Sequence, residues 1–260
     1  MSFWKEFGLG FKTFFEAIGF VFSKGLWWTL IFPLALNILL LWVGTEFTDI
    51  AIKKSQIWLL NLANLNSTSW YALAIKGFIS GFIWLFVKML FFSIFLYFGG
   101  YIILILMSPV FAYLSEKTEK IITGKTYPFN GEQWIRDIVR GILITLRNIF
   151  YELLIIILIF IFSFIPVIGW LVALLSSIIL FFVSAYFYGF SFMDYSLERK
   201  KLNIKQSVKF VRKNKGIAVS GGLIFALSMM FPFCGMLIAP FVSVFSIVGT
   251  TIAIQKIGDK

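Results

Sequence analysis

The chain has 260 residues, of which 60% are hydrophobic and only 13% are charged, and its formal net charge is +11. A soluble globular domain is about half apolar and about a quarter charged, so this composition excludes an ordinary soluble protein and predicts an all-α integral membrane protein. The sequence has no histidine and one cysteine, Cys234, which excludes an intrachain disulfide and disfavours zinc or thiol catalysis.

Residues 1–20 predict an amphipathic helix rather than a cleavable signal peptide. Charges such as Lys5 and Glu6 interrupt the apolar residues, and no small-residue cleavage site follows. Aromatic side chains recur at helical spacing, at Phe3, Phe7, Phe11, Phe14 and Phe15. We expect an interfacial helix on the bilayer surface, with the start of a packed helix as the alternative.

Four uncharged runs set the number of membrane segments: Gly25–Thr45, Met89–Ser115, Leu153–Met193 and Gly216–Gln255. A membrane span needs about 20 residues. The first two runs, of 21 and 27 residues, therefore predict one long span each, which we place at 25–45 and 77–112. The last two runs, of 41 and 40 residues, are long enough for two helical arms each.

Similar Pro-x-x-Gly motifs interrupt the last two runs, in "FIPVIG" at 164–169 and "MFPFCG" at 230–235. Proline ends an incoming helix and glycine permits the chain to reverse. The sequence therefore predicts helical hairpins over 149–193 and 216–255. The incoming arm of the second has 16 residues, about 24 Å against a bilayer core of about 30 Å. Hairpins that penetrate the bilayer partly and ordinary two-span hairpins both fit this length.

Two charged segments, 116–147 and 194–215, connect these parts. The second holds eight Lys or Arg residues against two acids, which places it on the cytoplasmic side, against anionic lipid. The first contains an amphipathic helix pattern with Arg136 and Arg140 on its polar face, typical of the same surface. We predict a single membrane domain, 1–260, with both segments and the N-terminal helix on the cytoplasmic side.

Two charged residues lie beside apolar runs. Lys88 precedes 20 uncharged residues that end at Ser108, so we expect it at the membrane boundary rather than on a transport pathway. Asp194 is expected to cap a turn or to pair with Arg199 or Lys200.

The start of the first span predicts an anion site. Ser23 is positioned to cap the helix, which would leave the amides around Gly25 and Leu26 unpaired beside the Lys24 ammonium. An ordinary span start, with Lys and Trp at the interface, is the alternative. The sequence offers no histidine base and no phosphate-cradling glycine loop, so we predict no enzymatic activity, no metal and no cofactor.

Five blocks, in order, resemble the CysZ-like sulfate permeases of the broader etoposide-induced domain family: "KGLWWTLIFPLALNILL", "SPVFAYLSEKTEKIITGKTYPF", "FIPVIGWLVA", "MDYSLERKKLNIKQSVKFVRKNK" and "FPFCGMLIAPFV". The resemblance runs from about Gly19 to Ile254. It implies a multi-pass permease of the bacterial inner membrane that takes up sulfate and assembles as a homo-oligomer. It also implies two long spans and two hairpins that penetrate the bilayer partly.

The resemblance also implicates Lys24, Gly25, Leu26 and Trp27 in substrate binding. Relatives that bind sulfate carry glycine, leucine and arginine at the start of the first long helix. Gly25 and Leu26 match this pattern, and Trp27 stands in the place of the arginine. A non-transporting membrane scaffold or lipid-interacting protein on the same fold is the alternative function.

Overall fold

The computed structural model describes residues 1–62, 70–125, 131–165, 168–231 and 234–258, and it is helical throughout these ranges apart from short turns. The elements are α1 (Phe3–Ser23), a 3-10 helix (Trp27–Leu30), α2 (Ile31–Leu62), α3 (Trp70–Leu106), α4 (Ser108–Thr123), α5 (Gly131–Ser163), α6 (Ile168–Arg199), α7 (Ile204–Lys213), α8 (Lys215–Met230) and α9 (Cys234–Gly258). The predicted all-α class is confirmed.

Within the described ranges, five stretches are helical, long and apolar enough to cross a membrane: Trp27–Asn61, Leu73–Phe95, Gly131–Ser163, Leu174–Arg199 and Leu237–Gly258. A sixth span results if Phe98–Leu106 and Ser108–Thr123, whose axes differ by 64°, count as one. With 16 residues, α8 is shorter than any of the five. The chain is therefore a multi-pass membrane protein.

The break between α3 and α4 falls inside the segment 77–112, which the sequence analysis treats as one span. Pro109 lies in the first turn of α4, where its missing N–H costs no helical hydrogen bond. Ser108 does not cap α4, because its Oγ donates backwards to the carbonyl of Ile105 over 2.7 Å. The segment thus contains the end of one helix and the start of another.

The chain divides into two compact units, which are Met1–Leu34 with Gly100–Lys260 (unit 1) and Ala35–Gly99 (unit 2). Within unit 2, Lys88 Nζ on α3 donates to Thr48 Oγ1 on α2 over 2.8 Å and lies 3.6 Å from Asp49 Oδ1. The ammonium of Lys88 is therefore paired across the two helices.

Unit 1 is built around a seam between α6 and α8. A Cβ atom on Gly189 would lie 1.7 Å from the carbonyl oxygen of Ala218, and one on Gly222 would lie 2.0 Å from that of Ala185. The two backbones are therefore in direct contact, which only glycine permits at these positions. Small residues at such a seam are typical of helices that pack inside membranes. α8 also packs against α1 and α9.

The first hairpin begins with a long continuous helix, since α5 runs through both the predicted amphipathic segment and the predicted incoming arm. Two buried polar residues occupy the junction. Asn148 Nδ2 donates to the carbonyl of Phe187 over 3.1 Å, and Glu152 accepts from the hydroxyls of Tyr101 and Ser184. Neighbouring helices satisfy these groups, so the helix continues past them.

The two hairpins resume their helices in the same way after the turn. The amide of Gly169 donates to the carbonyl of Ile165, and that of Gly235 to the carbonyl of Phe231, each over 2.7 Å. The remaining tip residues lie outside the described ranges: Pro166, Val167, Pro232 and Phe233. The depth of both tips in the bilayer stays a prediction.

Helix α1 packs into unit 1. Its Ala17 and Val21 are fully buried, while Phe11 and Phe15 are exposed. Glu6 is also buried, and its Oε2 accepts from the amide of Gly216 at the start of α8 over 3.1 Å. A carboxylate at that position stabilises the helix start. α1 is thus a packed helix that leaves part of its aromatic stripe exposed.

Candidate functional site

The turn between α1 and the 3-10 helix holds the four residues predicted to bind an anion. Lys24 is the C-terminal cap of α1, and Gly25 has a left-handed φ of 70°. Both are exposed, as is Trp27 at 60%, whereas Leu26 is 2% exposed. The side chains of Lys24 and Trp27 therefore face outwards, and Leu26 packs inside unit 1.

The amides of Gly25 and Leu26 are already used. The amide of Leu26 donates to the carbonyl of Val21 over 2.9 Å, and that of Gly25 to the carbonyl of Phe22 over 3.5 Å. With Gly25 in the left-handed region, these bonds form the Schellman motif that ends α1. The prediction that these two amides are unpaired is therefore wrong, because they satisfy the last carbonyls of α1.

The next amides along the chain are better placed as donors. Ser23 Oγ lies 3.5 Å from the carbonyl of Phe20 and does not cap the following helix. The first helical bond of the 3-10 helix runs from the amide of Thr29 to Leu26. The backbone amides of Trp27 and Trp28, the first two residues of this helix, have no hydrogen-bond acceptor among the described residues. Anion binding at Lys24, Gly25, Leu26 and Trp27 stays a prediction, but its candidate backbone donors are now the amides of Trp27 and Trp28.

Buried charge is concentrated inside unit 1, where α5, α6 and α7 meet. Arg140 Nε and Nη2 donate to the two carboxylate oxygens of Asp194 over 2.9 and 3.0 Å. Its Nη1 donates to the carbonyl of Leu202 over 2.6 Å, and Nη2 to Ser207 Oγ over 2.8 Å. Glu198 Oε2 lies 3.7 Å from Nε. We call these residues the Arg140 cluster.

The partner of Asp194 is a finding beyond the sequence analysis, which expected this residue to cap a turn or to pair with Arg199 or Lys200, whereas it binds Arg140. A carboxylate that is 2% exposed needs a charged partner, and the guanidinium of Arg140 supplies two parallel hydrogen bonds. Arg199 instead binds the carboxylate of Glu119 on α4.

A second buried cluster lies where α4, α6 and α9 meet. Arg199 Nε donates to Glu119 Oε2 and Nη2 donates to Ser115 Oγ, both over 2.6 Å. The hydroxyls of Ser115, Ser196 and Thr251 lie within 3.1 Å of one another. The side chains of Arg199 and Glu119 are 7% and 6% exposed. We call these five residues the Arg199 cluster.

Three buried donors on α4, α6 and α9, the helices that form the cluster, have no hydrogen-bond partner among the described residues, namely Arg199 Nη1, Thr118 Oγ1 and Gln255 Nε2. Thr118 follows Ser115 by one turn of α4, and Gln255 follows Thr251 by one turn of α9, so both extend the faces that carry the cluster. A buried unsatisfied polar group costs about 1–3 kcal/mol. Three such donors indicate a place for a polar guest, such as water or an anion.

Sequence reasoning missed both clusters because their partners come from distant parts of the chain. Arg140 and Asp194 are 54 residues apart, and Ser115 and Thr251 are 136 apart. The only signal in the sequence was the spacing of Ser196 and Arg199, which lie three residues apart and so share one helix face at the end of an apolar run. Polar residues on a buried face need a polar partner on another helix, but the spacing does not say which helix supplies it.

A family model described as "EI24: Sulfate transporter CysZ/Etoposide-induced protein 2.4" matches residues 13–240. The matched range includes the Lys24 turn, the whole Arg140 cluster and the α4 and α6 residues of the Arg199 cluster. Thr251 and Gln255 lie beyond it.

Proposed function

Because the chain belongs to the sulfate transporter CysZ/EI24 family, we propose that it is a permease or channel for small inorganic anions, with sulfate as the first substrate. The family is one of transporters rather than enzymes. We extend the proposal to a homo-oligomer in the bacterial inner membrane, with its basic segment 194–215 against anionic lipid.

For the substrate site, we propose the Arg199 cluster as an inner anion site. One observation supports it, namely that Nη1 of Arg199 is buried and has no hydrogen-bond partner among the described residues. A sulfate dianion needs a cation and several N–H or O–H donors once water is removed. Arg199 Nη1, Thr118 Oγ1 and Gln255 Nε2 are buried donors of this kind. Ionisable residues buried among membrane helices commonly mark substrate pathways. We place anion passage at the Arg199 cluster on this basis.

The Lys24 turn supplies a second place of contact, at the protein surface. The ammonium of Lys24 and the amides of Trp27 and Trp28 are its donors, since Gly25 and Leu26 are used by α1. A point charge is a weaker anion partner than a guanidinium fork, so we expect this contact to be weak.

Radiolabelled sulfate flux into proteoliposomes tests the inner site. The variant Arg199→Gln/Glu119→Gln removes the buried ion pair without leaving one charge uncompensated, which would unfold the protein. We expect sulfate flux to fall at least about tenfold, since a hydrogen bond to a charged group contributes about 1.5–3 kcal/mol.

The matched control is Arg136→Gln/Glu132→Gln, the same chemical change at an ion pair whose side chains are 53% and 78% exposed on α5. Its flux should equal that of the unaltered protein. If the flux of both variants equals that of the unaltered protein, the Arg199 cluster does not lie on the transport pathway. Absence of flux in every protein, the unaltered one included, would favour the scaffold alternative.

A further inference from the structure

A groove of about 560 Å³ opens on the side of unit 1, between α5, α6 and α8. Its size falls within the roughly 300–1,000 Å³ of known ligand sites. Apolar side chains form most of its wall, among them Ile155, Ile178, Ile179, Phe182, Val183 and Val219. The groove takes no part in either buried cluster.

Two basic residues, Arg212 and Lys215, line the same groove. Their place along it follows from the seam between α6 and α8, where Gly189 meets Ala218 and Ala185 meets Gly222, so that the helices run antiparallel. Lys215 precedes Ala218 by three residues and therefore lies at the end of the groove near Phe187. Ile178 is nine residues away from Phe187 along α6, or about 13 Å.

The two cations at this end lack an acidic partner. Arg212 and Lys215 are exposed, and neither forms an ion pair with a carboxylate in the part of the chain that the structure describes. Lys215 Nζ lies 6.0 Å from the ring centroid of Phe3. None of the described residues that line the groove is acidic. The groove thus has positive charge at one end and hydrocarbon along the rest.

We propose that this groove binds one anionic phospholipid, with its phosphate between Arg212 and Lys215 and an acyl chain along α6 towards Ile178. A small inorganic anion would leave the apolar walls uncovered, and an apolar helix or a neutral lipid would leave both cations without a counter-charge. Arg212 and Lys215 belong to the basic segment predicted to face the cytoplasmic leaflet, where anionic lipids are abundant. The binding does not depend on which anion the protein carries.

Native mass spectrometry of the full chain, titrated in detergent with phosphatidylglycerol or phosphatidylcholine, tests the site. The unaltered protein should retain one phosphatidylglycerol in preference to phosphatidylcholine. Arg212→Gln/Lys215→Gln should bind it roughly 25-fold more weakly, because each basic residue near anionic lipid contributes roughly fivefold. Both side chains are exposed, so the variant should fold.

Two further variants make the test specific. Lys205→Gln/Lys209→Gln removes the same charge from exposed positions of α7 outside the groove, and should leave retention unchanged. Ile179→Trp keeps both cations but narrows the path of the acyl chain, and should weaken retention.

Several results would overturn the proposal. An equal loss in both charge variants would mean non-specific attraction to the basic segment. Undiminished retention in Ile179→Trp would show that the acyl chain does not lie along this groove, and equal retention of the two lipids would show that the headgroup is not selected. Full competition by millimolar inorganic phosphate would assign the cations to a free anion, and a lipid-free dimer that Ile179→Trp dissociates would assign the groove to a second copy of the chain.

Discussion

Two arginines one turn apart on α5 differ in almost every respect that matters for stability. Arg136 is 53% exposed and pairs with Glu132 on its own helix, whereas Arg140 is 15% exposed and forks onto Asp194, which is 2% exposed. Exposed pairs contribute little, because water screens them and both side chains lose freedom. A buried fork cannot lose a bond without leaving a desolvated charge behind.

The variant Arg140→Lys should therefore lower the free energy of unfolding by about 1.5–3 kcal/mol, since an ammonium cannot reproduce two parallel bonds. Arg136→Lys is the matched control and should cost no more than about 0.5 kcal/mol. Denaturant unfolding in detergent micelles measures both. Equal losses would show that the Arg140 fork does not hold α5 to α6.

Trp27 is a second single residue whose replacement should have a measurable effect, because it stands where the resemblance places arginine. Trp27→Arg should strengthen sulfate binding or flux about ten- to a hundredfold, the effect of one charge-assisted hydrogen bond of about 1.5–3 kcal/mol. Lys24→Ala should reduce whatever flux the unaltered protein has. Sulfate flux measured at several concentrations gives both results.

Phe22→Arg controls for charge alone, since Phe22 is 55% exposed at the end of α1 and lies outside the glycine-leucine motif. It should leave flux unchanged. A gain as large as that of Trp27→Arg would mean that any added cation attracts sulfate. No response to any of the three changes would place the substrate contact elsewhere, first at the Arg199 cluster.

At the scale of single residues, the sequence analysis treats Ser23 as the start of a helix, whereas Ser23 is the last residue of α1. A serine two residues before a glycine suits a helix start and a helix end, and the left-handed φ of Gly25 shows that the helix ends here. The Arg140 and Arg199 clusters could not be predicted from the sequence at all. A pattern within one helix shows that a charge is buried, but not which helix supplies the partner.

Among the elements, the contact between α6 and α8 makes the sharpest prediction. Gly222→Ala places a methyl group 2.0 Å from the carbonyl oxygen of Ala185, so the two backbones must separate. We expect a loss of at least about 1–3 kcal/mol of unfolding free energy, the usual cost of overpacking. Thermal unfolding in detergent would detect it.

Gly81→Ala on α3 is the matched control, because nothing lies within 4 Å of its Cβ position. Alanine is the better helix former by about 1 kcal/mol, so this variant should be neutral or stabilised. A Gly222→Ala protein that behaves like Gly81→Ala would contradict backbone contact at the seam.

Helix existence was well predicted by uncharged runs and turn motifs, but helix length was not. Asn148 ends the apolar pattern of the first hairpin in sequence, yet α5 continues through it because the Phe187 carbonyl on α6 accepts from its side-chain amide. Pro240 lies inside α9, which continues through it although proline removes one helical hydrogen bond.

For the molecule as a whole, the distribution of basic residues predicts which side faces the cytoplasm. Residues 1–20, 116–147, 194–215 and the C-terminal end should share that side. On a background without Cys234, the single-cysteine variant Lys205→Cys should react with a membrane-impermeant thiol reagent only after the membrane is opened.

Ile57→Cys provides the comparison, since Ile57 is 62% exposed and lies in residues 46–76, between the two predicted spans 25–45 and 77–112, which the same charge rule puts on the outer side. It should react from outside in intact cells. Labelling of position 205 from outside alone would reverse the orientation, and labelling of both positions from both sides would indicate subunits inserted in opposite orientations.

The α6–α8 seam also limits how unit 1 can change shape. Helices that meet through long side chains can slide past one another, because rotamer changes absorb small displacements. Gly189 and Gly222 have no side chains, so a sliding movement would bring the two backbones into steric clash. We therefore expect α6 and α8, the outgoing arm of the first hairpin and the incoming arm of the second, to move together as one rigid pair. A gating movement within unit 1 would then come from helices held by side chains, such as α5, moving relative to that pair.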